Sequence, residues 1–443
     1  MTNQRPEATP GPPTPTTFLG FLRSMGPGIV VVLTWLGAGD IVEVGVAGAN
    51  YGYALMWVLV LAIGMRFVFV SIIAKYHLLN ERGETVLDGL HRLHPLYAPL
   101  LLVASIVMGH IYGAYMTVGL GECLANLFGF GPTWLWAGLC AVVGLIIVGQ
   151  SVYGRVEACF KILLALLSVS FLGCAIWIGP SAGDIVEGTL AFRIPEDKGT
   201  YGSLLVAVGM IGAVAGSLMN LVYPYFLDEK GWKGPHYRRL QLYDLVFAIA
   251  VMIVLDLSIW VLGAEVLHPQ GLTVSELDDF PRLLSSMIGN GGRVLFYLGI
   301  FAAIYTSLIG HARGLASLGT HAYQLWRTPA GENAAAGLES QLTAHPLHRY
   351  IVAWILLSPL VWTFFGDAAS FVPLTLTVQS LQVLLIPFLA GGIWWITANS
   401  RYIGERHRNV WWENLFLAVL AALALWAAWQ SIIVLLEKLA LIE

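Results

Sequence analysis

Two carboxylates, Asp40 and Glu43, lie in the first long apolar stretch of the chain, within the segment TWLGAGDIVE that begins at Thr34. A charged side chain at the centre of a bilayer costs about 3 kcal/mol or more, so intramembrane acids usually face a transport pathway, an ion or a charged partner. The two acids are three residues apart and share one face of a helix that resumes after the glycines. This pattern favours a cation ligand at Asp40. Glu43 is either a second ligand or an acid of an outer vestibule.

Two structural alternatives remain open for Asp40. Aspartate is a good N-cap, so Asp40 could begin the resumed helix. It could also form a buried ion pair with Arg66 or Arg313. At a rise of about 1.5 Å per residue, both arginines fall toward the cytoplasmic ends of their apolar stretches. We therefore expect them to extend to the inner interface, with gating as the alternative.

Four other polar side chains lie within apolar stretches. Gln379 and Gln382 are three residues apart, and their amide oxygens suit a hard cation or its waters. A hydrogen bond between helices explains them equally well. Asp256 is either an acid of the outer vestibule or a helix-packing group. His110 is expected to be hydrogen-bonded within the helix bundle, with proton handling as the alternative.

The composition is that of a polytopic membrane protein. The 443 residues are 57% hydrophobic and 11% charged, and the mean hydropathy is +0.74. A soluble domain carries about twice that share of charge. The net charge of −4 is too small to indicate a nucleic-acid partner. The four cysteines show no CxxC or paired spacing, so we expect them to act as small buried hydrophobic residues.

Eleven apolar blocks are separated by polar connectors, and their length suits a hydrocarbon core of about 30 Å. Fifteen Lys and Arg residues fall in the connectors of one side and five in those of the other, which predicts a cytoplasmic N-terminus. The blocks lie near 27–50, 52–76, 97–127, 133–150, 155–179, 202–227, 240–265, 293–323, 348–366, 371–397 and 411–437.

The domain organisation follows from these blocks. Residues 1–24 are polar and rich in Pro and Thr, which predicts a disordered cytoplasmic tail. Residues 25–443 are predicted to form one transmembrane domain. Its predicted parts are a first repeat, a second repeat and an extra helix, at 25–180, 200–398 and 409–440.

Blocks one and six both combine small residues with polar groups at their centres. Block six contains Gly209, Gly212, Gly216 and Ser217. The two blocks are five spans apart, and transporters built from inverted five-helix repeats break the corresponding helix of each half to bind substrate. Close helix packing through small residues is the alternative. The acid in block one favours two broken helices, whose unwound backbone must line protein or a cavity.

Several segments are similar to the NRAMP family of divalent-metal transporters. Gly26-Pro27-Gly28, the break and NYGY (Asn50 to Tyr53) keep the spacing of the family's first two helices. The likeness extends to the segments LANLFGFGP, VGMIGAVAGS and SLQVLLIPF. The resemblance implies a LeuT-type fold of eleven or twelve helices and transport of a divalent cation.

The departures from the family's pattern fall on the residues that it implies as ligands. Gly37 stands at the ligand Asp of D-P-G-N, and Asp40 stands at its ligand Asn. Gly216 stands at the thioether of M-P-H-N, and soft sulfur favours transition metals, so we expect hard or hydrated cations instead. Block three lacks the acids of the family's proton route and has Gly113 and Met116 there. Proton coupling is expected to be weak or absent, and the nearest candidates for a route are His110, Glu122 and Glu43.

The sequence therefore predicts an all-α polytopic membrane protein with about eleven transmembrane helices and a LeuT-type 5+5 inverted repeat, broken in helices 1 and 6. The predicted function is secondary transport of divalent cations such as Mg²⁺ or Mn²⁺ by alternating access. An ion-coupled carrier of a small organic solute is the alternative. The predicted substrate site comprises Asp40, Glu43, Gly37, Ala213, Gly216, Gln379 and Gln382. The candidate proton or gating residues are His110, Glu122, Asp256, Arg66 and Arg313.

An enzyme is not expected, because no nucleotide-binding loop, HExxH or GxSxG motif occurs in a plausible context. We expect no cofactor and no nucleic-acid partner. The expected partners are the metal ion and the lipid bilayer. The protein is expected to be a monomer in the plasma membrane, or in the inner membrane of a bacterium.

Overall fold

The computed structural model describes residues 15, 17, 20–21, 38–148, 153–197, 200–327 and 338–440. Over these ranges the chain is helical and contains no strand. The α-helices are α1 (Ala38–Tyr51), α2 (Met56–Leu79), α3 (Val86–Leu93), α4 (Tyr97–Phe128), α5 (Thr133–Ile147), α6 (Tyr153–Ile178), α7 (Ala182–Leu190), α8 (Ser203–Ala215), α9 (Tyr223–Glu229), α10 (Arg238–Leu262), α11 (Arg282–Ile288), α12 (Asn290–Arg327), α13 (Leu338–Ala344), α14 (Pro346–Leu357), α15 (Phe371–Gln382), α16 (Ile386–Ala398), α17 (Ser400–Ile403) and α18 (Trp411–Ala440).

Each of the eleven predicted apolar blocks contains a helix of the structure. Nine helical stretches of the described chain are long and apolar enough to cross a bilayer, and α5 is a shorter apolar helix. The 24 residues of α2 rise about 36 Å, enough for a hydrocarbon core of about 30 Å. α1 is the described part of the first block. The prediction of an all-helical, multi-pass membrane protein is confirmed.

Block six is broken where small residues predict it. α8 ends at Ala215, and Gly216 and Ser217 lie outside the helix. The Ser217 hydroxyl then accepts a hydrogen bond from the Met219 N–H at 3.3 Å and begins a 3₁₀ turn, Leu218–Val222, which leads into α9. A side chain does not fit at Gly216, because its Cβ would lie 2.7 Å from the Gly212 carbonyl oxygen.

The described part of block one begins with α1. Ala38 and Gly39 are already helical, so Asp40 lies within the helix. The alternative that Asp40 is the N-cap is therefore wrong. Gly37 and the residues before it lie outside the described part of the chain, so the form of the break itself stays a prediction.

α1 and α10 approach each other closely through glycine. A Cβ at Gly48 would lie 2.5 Å from the Trp260 carbonyl oxygen, and one at Gly263 would lie 2.7 Å from the Ala49 nitrogen. Small residues allow helix backbones to pack at this distance in a membrane. α1 also packs against α8 and α15. The polar residues of α1 thereby face three other helices instead of lipid.

A buried ion pair connects the last helix, α18, to α2. Lys75 Nζ lies 2.6 Å from Glu413 Oε2 and 2.7 Å from Asn409 Oδ1. The same Glu413 oxygen accepts the Val410 N–H at 2.9 Å. We call Lys75, Asn409 and Glu413 the α18 latch.

Candidate cation site

Arg66 lies at the centre of the candidate site and joins three helices. Its side chain is 1% exposed, in the middle of α2. Nη1 donates to Asp40 Oδ2 of α1 at 3.4 Å and to Met252 Sδ of α10 at 3.2 Å. Nη2 donates to the Ala213 carbonyl of α8 at 2.6 Å. Arg66 is therefore a central partner of Asp40, as one of the sequence alternatives proposed.

The expectation that Arg66 extends to the inner interface is wrong. The cause is the set of acceptors around it. Ala213 lies in the last turn of α8, where carbonyl groups lack intrahelical donors. Asp40 supplies an opposite charge in the same place. A buried guanidinium with five N–H donors satisfies both groups where water is excluded.

Asp256 belongs to the same cluster. It is 1% exposed on α10, and its charge interacts with those of Asp40 and Arg66. Its Oδ1 has no hydrogen-bond partner among the described residues. In this structure Asp256 is therefore not exposed to an outer vestibule, and a helix-packing role leaves its Oδ1 without a donor among the described residues.

Glu43 also faces inward. It is 1% exposed, and its charge interacts with those of Asp40, Arg66 and Asp256. A Cβ at Gly209 would lie 2.8 Å from Glu43 Oε1, so the carboxylate packs against α8. Within the described chain, Glu43 Oε1 has no hydrogen-bond partner. In this structure Glu43 is buried between helices and is not exposed to an outer vestibule.

The cluster contains more acidic than basic groups. Asp40, Glu43 and Asp256 supply three carboxyl groups, whereas Arg66 supplies one guanidinium. Buried charges are costly unless they are paired and hydrogen-bonded. Two of the three carboxylates keep an oxygen without a donor in the described part of the chain. Among the described residues, no three acidic, His or Cys side chains are arranged to hold a metal ion together, so a cation bound here requires the side chains to move.

The two glutamines of α15 are buried beside this cluster. The Gln382 amide donates to Gln379 Oε1, and Gln382 Oε1 has no partner among the residues described. The Gln379 side chain packs so closely on the first turn of α1 that a Cβ at Gly39 would clash with it. The Gln382 carbonyl lies against Gly216. The structure therefore brings α15 against both α1 and the C-terminal end of α8.

The matches to known proteins identify the family. The profile described as "Natural resistance-associated macrophage protein-like" (Nramp) matches residues 28–434. The chain belongs to the Nramp family. The resemblance stated from the sequence is confirmed, and with it the expectation of a transporter, not an enzyme.

Relatives of this Nramp chain are distant in sequence but extend over most of its length. The divalent metal cation transporter MntH of Verminephrobacter eiseniae is 23% identical over 412 residues, covering 90% of this chain and 85% of the relative. The MntH of Bacillus subtilis is 21% identical over 308 residues, covering 67% and 70%.

Solved structures share the fold of the Nramp chain. A manganese transporter of Eremococcus coleocola superposes with a TM-score of 0.72 at 17% identity, covering 96% of this chain and 90% of that one. Mhp1, a nucleobase-cation-symport-1 family transporter, gives 0.54 at 11% identity, covering 91% and 90%. These likenesses confirm the LeuT-type fold.

The remaining sequence candidates of the Nramp chain have other surroundings. His110 Nε2 accepts the Trp362 indole N–H at 3.1 Å, and its Nδ1 lies 2.8 Å from Ser358 Oγ. Glu122 Oε1 accepts the Phe371 N–H at 3.0 Å and lines an open cavity of about 380 Å³. Arg313 is half-buried on α12, with its charge near His348.

Met252 is the site residue that the sequence reasoning missed. Its thioether accepts a hydrogen bond from Arg66, so the site contains sulfur although Gly216 occupies the family's thioether position. A signal was present, because Met252 and Asp256 are four residues apart and share one face of α10.

Proposed function

We propose that this protein is a secondary transporter of divalent cations that works by alternating access. The observation that carries the proposal is the group of three buried carboxyls on α1 and α10 around Arg66, beside the C-terminal end of α8. A divalent cation neutralises charge that one guanidinium leaves uncompensated. The names of the relatives, which are divalent-metal and manganese transporters, support the same function.

The proposed cargo is a hard or borderline ion such as Mn²⁺ or Mg²⁺. The oxygen donors proposed are the carboxylates of Asp40, Glu43 and Asp256, the Ala213 carbonyl and an amide oxygen of Gln379 or Gln382. Carboxylate and carbonyl oxygens suit Mg²⁺, Ca²⁺ and Mn²⁺, whereas a thioether shifts preference toward softer ions. Because Met252 adds one sulfur, we propose that Mn²⁺ binds better than Mg²⁺.

The proposed membrane, topology, oligomeric state and proton coupling follow the expectations from the sequence. The excess of Lys and Arg on one side supports a cytoplasmic N-terminus in the plasma membrane. We propose a monomer that needs no cofactor, with 25–180 and 200–398 as the two repeats. Proton coupling is proposed to be weak, because both ring nitrogens of His110 have partners within the bundle.

Uptake into proteoliposomes tests this function, with the lumen pH recorded at the same time. We expect Mn²⁺ uptake above that of protein-free vesicles, with little acidification of the lumen. Glu43→Gln removes a carboxylate of the cluster and is expected to lower uptake about tenfold, corresponding to about 1.4 kcal/mol. The matched control is Glu187→Gln, which changes an exposed acid of α7.

Two outcomes bear on separate parts of the proposal. Uptake of neither Mn²⁺ nor Mg²⁺ by the wild-type protein contradicts divalent-cation transport. Normal uptake by Glu43→Gln removes Glu43 from the ligand set and leaves the transport function standing.

A further inference from the structure

We propose that Arg66 is a tethered competitor of the transported cation: its guanidinium occupies the cation site in the empty transporter and leaves when the cation arrives. The inference rests on the proposed function of the same site. It gives Arg66 two roles. Arg66 competes with ions for the site, and it supplies positive charge while the carrier returns without an ion.

The first support is the identity of the three groups that bind the guanidinium. They are the carboxylate of Asp40, the carbonyl of Ala213 and the thioether of Met252, each from a different helix. A carboxylate, a carbonyl and a thioether are also three kinds of metal ligand. Arg66 therefore already engages a donor set that a divalent cation can use.

The second support is the charge that Arg66 leaves uncompensated. Oxygens of Glu43 and Asp256 have no donor among the described residues, although the guanidinium of Arg66 has five N–H groups. An arginine selected only to neutralise the cluster would be expected to satisfy these oxygens. An ion that replaces the guanidinium is smaller and can be coordinated by these oxygens of Glu43 and Asp256.

Exchange is favoured over simultaneous binding for an electrostatic reason. A cation held by Asp40 and Ala213 would lie within a few ångströms of the guanidinium, and like charges repel strongly where water is excluded. The lone pairs that accept from Arg66 are also the ones that the ion needs. Arrival of the ion thus frees the last turn of α8 from α2, which links binding to the break in block six.

The consequence for the transport cycle is a substitute for protons. An empty site with three buried carboxylates is unstable unless something supplies positive charge. Arg66 supplies part of it from within the chain, so the empty carrier needs fewer protons from solution than a site without Arg66. This agrees with the weak proton coupling proposed above.

The test measures Mn²⁺ binding to purified full-length protein by calorimetry. Arg66→Ala is expected to lower the Kd for Mn²⁺ at least about tenfold, since a competing group is lost. Arg239→Gln, which removes an exposed arginine of α10, is the control and is expected to leave the Kd unchanged.

Removal of any nearby positive charge raises cation affinity, so a second measurement isolates competition. In Arg66→Ala, low-millimolar guanidinium chloride is expected to compete with Mn²⁺, whereas NaCl at equal ionic strength is not. The wild-type protein is expected to show no such effect, because its own guanidinium already occupies the position. Guanidinium that acts no differently from NaCl overturns the proposal.

A further variant guards against misfolding of Arg66→Ala. Arg66→Gln/Asp256→Asn keeps the net charge of the wild-type cluster and is expected to show the same competition by guanidinium. If Mn²⁺ binding is unchanged or weaker in both variants, the proposed role of Arg66 is overturned, while the proposed transport function stands. Absence of Mn²⁺ and Mg²⁺ binding in every form, wild type included, overturns the proposed function as well.

Discussion

Two buried clusters of charged residues lie along α2 and differ in their balance. In the α18 latch, Lys75 is matched by one carboxylate, Glu413, with Asn409 as a further acceptor. In the other cluster, Arg66 is surrounded by three carboxylates, and oxygens of two of them have no donor among the described residues. The positions are about 13 Å apart along the helix at about 1.5 Å per residue.

The difference separates a structural role from a functional one. A buried ion pair tolerates desolvation when its geometry is good and its remaining hydrogen bonds are made. The α18 latch meets this condition without any ligand. The Arg66 cluster does not, so it retains a capacity for positive charge that a substrate can fill.

The largest expected effect is on stability, at the α18 latch. Lys75→Met removes the hydrogen-bonded cation of the buried Glu413 carboxylate, which leaves only the charge of Arg238 nearby, and is expected to lower the free energy of unfolding by about 3 kcal/mol. Denaturant unfolding in detergent measures this. Lys75→Met/Glu413→Leu, which replaces the pair by apolar groups, is expected to recover most of the loss.

Mn²⁺ binding by the variants of the α18 latch also tests the difference between the two clusters. The Kd for Mn²⁺ of folded Lys75→Met is expected to stay within about twofold of wild type, because distant sites act independently. A large loss of affinity without a loss of stability breaks the distinction between the two clusters.

The next effect is on transport, at Asp40. Asp40→Asn keeps the size of the side chain but removes a charge that contacts Arg66 and the proposed ion. Initial Mn²⁺ uptake into proteoliposomes is expected to fall about a hundredfold, corresponding to about 2.7 kcal/mol. Stability is expected to be retained, because one buried negative charge is removed. Asp184→Asn, an exposed acid of α7, is the control, and uptake like wild type by Asp40→Asn contradicts the assignment.

Features that depend on residues close together in the sequence could be predicted, whereas contacts between distant segments could not. The break at Gly216 is local, since small and polar residues in one block indicate it. The partners of Arg66 are not, because they come from α1, α8 and α10, and helix packing alone brings these together.

The same limit explains the two misplaced acids. Glu43 and Asp256 were each consistent with an outer vestibule, because depth along a helix does not specify which face meets the bundle. α1 packs closely on α10 and the turn after it at Gly48 and Gly263, and both acids lie near Arg66. Glycine pairs of this kind are visible in a sequence, but their partners in another helix are not.

The smallest expected effect is on ion selectivity, at Met252. Met252→Leu keeps the apolar volume but removes the sulfur, so the preference for Cd²⁺ over Mn²⁺ is expected to fall roughly threefold, an effect below about 1 kcal/mol. Competition of Cd²⁺ with Mn²⁺ for binding measures this ratio. Met108→Leu, at a buried methionine of α4, is the control. An unchanged ratio in Met252→Leu excludes the thioether from the ligand set.

The location of bound Mn²⁺ tests the central claim most directly. Anomalous scattering from crystals grown with Mn²⁺ gives this position without a change to the chain. We expect one peak with Asp40 and the Ala213 carbonyl at roughly 2.0–2.6 Å, the range of oxygen ligands to Mg²⁺ and Ca²⁺, and the Arg66 side chain turned away. A peak elsewhere, with Arg66 still bridging Asp40 and Ala213, would contradict the account.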